Sequence, residues 1–215
     1  AWDEANPNAT HVMYINSSAE MKAYADIIVT SANVNAIIEA EIDKGNKVIF
    51  SPEANMGAYI NKEFDYGMRV FTSVCDVHDA FNVKALDYAM MGWTDGAKYV
   101  IAHPESGIDL LNKADFIGST NKMLQWVKDF PYRVGTIWVA TEEGLLHDMR
   151  RARPELDIRP APGYNGCMCN QCPYMRLNTL EKVYLCLREL GPEVVVPESV
   201  REAALRPIEK RLSLS

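Results

Sequence analysis

Short apolar, β-branched runs alternate along the whole chain with stretches whose apolar residues recur at helical spacing. His11–Asn16 predicts a strand, Ala19–Ala25 a helix, Ile27–Thr30 a strand and Asn33–Asp43 a helix. Further strands are predicted near Val48–Ser51, Arg69–Thr72, Tyr99–His103, Phe116–Gly118, Thr136–Ala140, Asp157–Arg159 and Val194–Val196, with helices between most of them. This βαβα rhythm predicts an α/β fold in which parallel sheets are covered by helices on both faces, a three-layer αβα arrangement.

The pattern repeats. An offset of 89 takes Tyr14 to His103, Asn16 to Glu105, Ser17 to Ser106, Asp26 to Asp115, Thr30 to Ser119 and Ser31 to Thr120 without a gap. The same shift pairs Val48-Ile49-Phe50 with Ile137-Trp138-Val139 and Glu53 with Glu142. Two repeat units related by pseudo-symmetry are expected, at 1–88 and 89–177, with a helix, a strand and a helix over 178–215 completing the fold. Each unit carries one polar cluster (Tyr14–Asn16 or His103–Glu105) and one hydroxyl pair (Thr30–Ser31 or Ser119–Thr120) where a strand ends. Open α/β sheets bind ligands at that edge. Two units supply two similar walls, and a site closed on all sides calls for a further unit, absent here.

Composition narrows the classes. The chain has 215 residues, 48 % hydrophobic and 24 % charged, which is globular rather than disordered. Its apolar runs never approach the ~20 residues a bilayer span needs, and no basic start leads into an apolar leader, so a soluble intracellular protein without membrane partners is expected. A net charge of −7 argues against a nucleic-acid partner, which needs clustered Lys and Arg. Five cysteines, three of them at Cys167, Cys169 and Cys172, fit a reducing compartment and metal chemistry better than disulfides. The chain starts at Ala1 without an initiator Met, as a processed or partial product would.

Several motifs could carry chemistry. Thr30-Ser31-Ala32-Asn33 and Ser119-Thr120-Asn121 each follow an apolar strand and open a predicted helix. Hydroxyls beside unpaired N–H groups there would hold carboxylate or phosphate, or simply cap the helix. His103-Pro104-Glu105 puts an imidazole and a carboxylate on one side of a strand end, fit for proton transfer or for a hydrogen-bonded structural role. Cys75 and His78 lie close together in sequence, and Cys167-x-Cys169-x-x-Cys172 sits in the irregular late loop. These thiols suit zinc or an iron–sulfur cluster, either of which wants more ligands than the triple alone provides. Cys186 falls among apolar helix positions and is expected in the core, while His11 and His147 read as surface residues.

Taken in order, Tyr14-Ile15-Asn16-Ser17, Thr30-Ser31-Ala32-Asn33, Cys75-Asp76-Val77-His78, His103-Pro104-Glu105, Gly118-Ser119-Thr120, Ala140-Thr141-Glu142-Glu143-Gly144 and Cys172-Pro173-Tyr174-Met175 form a specific set. The chain resembles the quinolinate synthase family, the iron–sulfur enzymes of de novo NAD biosynthesis, and its late cysteine loop is similar to the cyanobacterial and plant-type branch. The resemblance implies three similar α/β domains around a pseudo-threefold axis, of which the second and third are present and the first would lie upstream of Ala1. It implies a [4Fe–4S] cluster held by one Cys from each domain, here Cys75 and Cys172, with Cys167 and Cys169 as accessory thiols. It assigns Tyr14, His103 and Glu105 to catalysis, and Ile15, Asn16, Ser31, His78, Pro104, Ser119 and Thr120 to substrate binding. Ser106 stands where the family usually has a Cys that is not a cluster ligand. The implied reaction condenses iminoaspartate with dihydroxyacetone phosphate to quinolinate, phosphate and water, in the cytoplasm or a plastid, with L-aspartate oxidase as candidate supplier of iminoaspartate. Competing expectations are a non-catalytic zinc or iron–sulfur module and a split enzyme needing a first-domain partner.

Overall fold

The structure is a computed structural model that describes residues 4–93, 96–164 and 170–214. Two all-parallel four-stranded sheets form its frame. The first contains β1 (Ala9–Tyr14), β2 (Ile27–Val29), β3 (Lys47–Ser51) and β4 (Arg69–Val70) in the order β2-β1-β3-β4. Its crossovers are α1 (Ala19–Lys22), α2 (Val34–Asp43) and α3 (Ala54–Phe64). After α4 (Asp76–Asp79) and α5 (Val83–Met91), the second sheet repeats the scheme with β5 (Lys98–Ala102), β6 (Phe116–Ile117), β7 (Thr136–Ala140) and β8 (Asp157–Pro160) in the order β6-β5-β7-β8. Its crossovers are α6 (Ile108–Leu111), α7 (Thr120–Lys128) and α8 (Gly144–Ala152).

The 89-residue offset is kept in the register of the inner strand pairs. Val12 pairs with Ile27 as Ile101 pairs with Phe116, and Ala9 pairs with Lys47 as Lys98 pairs with Thr136. Only the outer pair slips by one position: Ile49 faces Arg69, whereas Trp138 faces Arg159. A repeated bracket fixes each first crossover. The Asp26 carboxylate accepts the His11 N–H at 2.8 Å, and the Asp115 carboxylate accepts the Val100 N–H at 2.7 Å.

Burial on both faces explains why the strands read as continuous apolar runs rather than alternating ones. On β5 and β7, Ile101, Ile137 and Val139 pack with Met123, Val127, Leu146 and Met149, while Val100, Ala102, Trp138 and Ala140 face Phe81, Leu86, Leu110 and Leu111. In the first sheet Val12, Tyr14, Ile27, Val29 and Phe50 pack on Val34, Ile37, Ile38, Met56 and Ile60. Helix α3 approaches closely because Gly57 has no side chain: a Cβ there would stand 2.5 Å from Val70 Cγ1.

The C-terminal part departs from expectation. A short 3-10 turn leads into α9 (Leu180–Glu189), and α10 (Glu198–Ser213) returns to the first sheet, packing on α1 and β2 with Ala204 and Pro207 buried. Val194–Val196 is not a strand: it pairs with no strand among the described residues, and Val194 and Val195 are exposed. Helix α9 buries none of its residues among those described, so Cys186 is exposed rather than in the core. His11 is buried, not on the surface, because β1 is covered at every position from His11 to Tyr14, and its Nε2 meets Ser51 Oγ at 2.7 Å. His147 is exposed, as expected.

Candidate functional site

The chemistry-bearing residues gather where the strands of both sheets end, because parallel strands deliver every C-terminal end to the same edge. Tyr14 is the last residue of β1, Glu53 follows β3, His103 and Glu105 follow β5, and Thr141 follows β7. A cleft of about 200 Å³ is lined by Tyr14, Asn16, Glu53, Cys75, Glu105 and Cys172, among others. A larger one of about 630 Å³ opens at the opposite end of the first sheet, around Asn8, Lys47 and Arg69, away from all predicted site residues.

Glu105 stands at the centre. Its Oε2 accepts the Tyr14 hydroxyl at 3.3 Å, lies 3.1 Å from His103 Nδ1 and lies 3.6 Å from His78 Nδ1. The His78 and His103 rings stack with centroids 4.7 Å apart. His78 Nε2 lies 3.1 Å from Thr141 Oγ1 and its Nδ1 lies 3.3 Å from Cys75 Sγ. Asn55 ties the two halves, donating to the Glu105 carbonyl at 3.1 Å and to Asp79 at 3.0 Å.

Burial sets the electrostatics. It pushes the Glu105 carboxyl up, but the His103 hydrogen bond, the two imidazoles and the Tyr14 hydroxyl outweigh it, leaving the carboxyl below its ordinary value. Burial and the Glu105 charge raise the Tyr14 phenol far above its usual range, against a hydrogen bond with Ser31. Burial, aided by His103, lowers His78 to about 4, so its imidazole is neutral near pH 7. Burial raises the Cys75 thiol, as do the charges of Glu105 and Glu53, against backbone N–H bonds. Glu53 is raised to about 7 by burial and by Glu105 and Asp79, against the N–H groups of Met56 and Cys75.

The predicted residues therefore fall into two groups. Tyr14, Asn16, Cys75, Glu105 and Cys172 line one cleft; His78 and His103 pack against Glu105, and Ser31 reaches Tyr14. Ile15 packs against the first core and Pro104 is buried between His103 and Glu105. Ser119 and Thr120 stand at the end of β6, with Thr120 exposed and no bond to this cluster among the described residues. Ser119 is an N-cap, its hydroxyl accepting from Lys122 N at 3.5 Å. The first hydroxyl pair differs: α2 begins only at Val34, because Asn33 Oδ1 accepts the Thr30 N–H and hydroxyl at 2.8 and 3.0 Å. Ser31 is thus in a turn, not at a helix start. Cys167 and Cys169 lie outside the described residues.

Sequence patterns assigned no role to Glu53, noted only as the repeat partner of Glu142, to Thr141, noted only within a longer motif, or to Asn55. All three lie shortly after the ends of β3 and β7. Cys75, His78 and Glu105 also present donor atoms all within 4.8 Å of one another, a set suited to a borderline metal ion.

Comparison with known proteins identifies the family. The family described as quinolinate synthetase A protein matches residues 1–213. Quinolinate synthase of Synechococcus sp. is 41 % identical over 100 % of this chain and 66 % of its own length. The corresponding proteins of Cyanothece sp. and Chloroherpeton thalassium are 42 % and 43 % identical, each over 98 % of this chain and 64 % of their own length. The chain thus spans just under two thirds of the curated relatives it matches. With both sheets and the cleft between them inside the matched range, the chain belongs to the quinolinate synthetase A protein family.

Proposed function

We propose that this chain supplies two of the three walls of a quinolinate synthase active site, with repeat units 1–88 and 89–177 and a completing segment 178–215. The whole enzyme condenses iminoaspartate with dihydroxyacetone phosphate, releasing phosphate and water, and L-aspartate oxidase is the natural supplier of iminoaspartate. The observation that supports this most is the Tyr14–Glu105 hydrogen bond, which joins the two units on a cleft shared with Cys75 and Cys172.

The donor set fits a [4Fe–4S] cluster. Two thiols open on one cleft, and the acids that disfavour a bare Cys75 thiolate are what a cationic iron would compensate. Cys75 and Cys172 would be ligands, with a third from the part of the relatives this chain does not span. When bound, the cluster supplies a Lewis acid to substrate oxygen.

The chain's own residues handle protons and orientation. Glu105, ionised near neutrality, accepts a proton at Oε2, and His103 Nδ1 shares it. Tyr14, protonated throughout the physiological range, donates from its hydroxyl. His78 stays neutral and is oriented by Thr141. Asn16 and Ser31 bind substrate oxygen at the first wall, and Ser119 and Thr120 hold carboxylate or phosphate at the end of β6. Ligand thiols require a reducing compartment, the bacterial cytoplasm or a plastid.

The test is quinolinate formation after anaerobic reconstitution, in the chain alone and in the chain joined to the remaining third of the Synechococcus relative. About four iron and four sulfide per molecule with quinolinate produced by the joined form is expected. If the relative turns over and the joined form does not, the reading fails. Zinc bound without sulfide would favour a metal-binding module instead.

A further inference from the structure

Glu53 lines the cleft but takes no part in the chemistry above. It is 3 % exposed, and both of its carboxylate oxygens are occupied by backbone amides. Oε2 accepts the Met56 N–H at 2.6 Å, capping α3, and Oε1 accepts the Cys75 N–H at 3.2 Å. Around it the Ala54 N–H bonds the Ser73 carbonyl at 2.7 Å, so the end of β3, the first turn of α3 and the segment entering α4 meet at this side chain. A buried carboxylate holding two backbone donors is costly to remove, because both donors are then left without a partner.

The repeat supplies an internal comparison. Glu142 occupies the equivalent place after β7, but its Oε2 accepts the Gly144 N–H at 2.7 Å and its Oε1 lies 4.0 Å from Arg176. No bond from Glu142 to a cysteine amide occurs among the described residues. The two units thus share a carboxylate at the head of the helix following the third strand, and in the first unit that carboxylate also holds a cysteine.

We propose that Glu53 is a positioning residue for Cys75: by gripping the Cys75 amide from the end of β3, it fixes where the thiol stands on the cleft. Its importance to the enzyme rests on reading Cys75 as a cluster ligand. The grip itself does not.

The experiment has two arms. In the metal-free chain, iodoacetamide labelling followed by mass spectrometry gives the rate at Cys75 relative to exposed Cys186. Glu53→Gln is expected to change that ratio at least about threefold, and Glu142→Gln to leave it alone. Glu53→Asp, which keeps the carboxyl group but shortens the reach, is measured alongside, so that loss of fold in one variant leaves the test standing. An unchanged ratio in the folded Glu53 variants, or an equal change in Glu142→Gln, overturns the proposal. In the second arm, the reconstituted protein is titrated electrochemically, and Glu53→Gln is expected to raise the cluster's midpoint potential while retaining sulfide. A wild-type chain and joined form that both take up no iron or sulfide would defeat the cluster reading, and the labelling ratio would still decide the role of Glu53.

Discussion

Tyr14 and Glu105 are 91 residues apart, yet the Tyr14 hydroxyl donates to Glu105 Oε2 at 3.3 Å. One ends a strand of the first sheet and the other follows a strand of the second, so the bond exists only if both repeats dock with their C-terminal edges together. The same environment moves the two groups in opposite directions, a raised phenol and a lowered carboxyl, which separates a proton donor from a proton acceptor. Glu105→Gln in the complete, reconstituted enzyme should reduce turnover by ~10²–10⁴ with iron and sulfide unchanged. Turnover equal to wild type would remove Glu105 from the chemistry.

The cysteines separate by position. On the proposed cluster reading, Cys75→Ser and Cys172→Ser should each abolish sulfide retention, because both line the cleft, while Cys186→Ser on exposed α9 should retain it in full. Retention by Cys172→Ser would mean that another thiol takes its place.

Thr141 is the partner of a buried imidazole nitrogen. Thr141→Val keeps the volume but leaves His78 Nε2 without that bond, at a cost of about 1–3 kcal/mol in urea unfolding. A loss under about 0.5 kcal/mol would mean the nitrogen finds a substitute.

At Gly57 two effects oppose each other. Alanine would improve helix propensity by about 1 kcal/mol, but its Cβ would press to 2.5 Å of Val70 and 3.0 Å of Phe50. Overpacking of that kind costs about 1–3 kcal/mol, so the net effect should be neutral to destabilising by up to about 2 kcal/mol. A Gly57→Ala protein more stable than wild type in urea would show that β4 yields.

Glu41 gives a pH signature away from the site. Burial pushes its carboxyl up, but Lys44 at 2.7 Å and Asn46 at 2.8 Å outweigh it, so the folded value lies below the ordinary 4.5. A lowered acid stabilises the fold above its unfolded value, and that stability is lost as pH falls through the folded one. Glu41→Gln should therefore lose about 1 kcal/mol at pH 7 and much less near pH 3. An equal deficit at both pH values would assign the effect to shape rather than charge.

The parallel sheets and their repeat were legible because buried strands leave unbroken apolar runs, and a constant offset preserved even the Asp26 and Asp115 brackets. Local capping was less legible. Thr30-Ser31 has the composition of a helix start, but Asn33 folds back on Thr30 and delays the helix to Val34. The valines at 194–196 have strand propensity but pair with no strand among the described residues, and Cys186 has an apolar helix face around it, yet α9 buries none of its described residues. Glu53 and Thr141 stood in patterns the sequence shows, but their contacts were hidden for a different reason. What makes them matter is contact with Cys75 and His78, 22 and 63 residues away in sequence, which no local pattern encodes.

Because α10 lies on α1 and β2, the last helix covers the edge of the first sheet. During synthesis the second sheet, closed by residue 160, can be complete while the first still waits for residues 198–213 to leave the ribosome. The earlier half of the chain is thus the later to mature, and until then β2 is an open edge able to pair with another molecule.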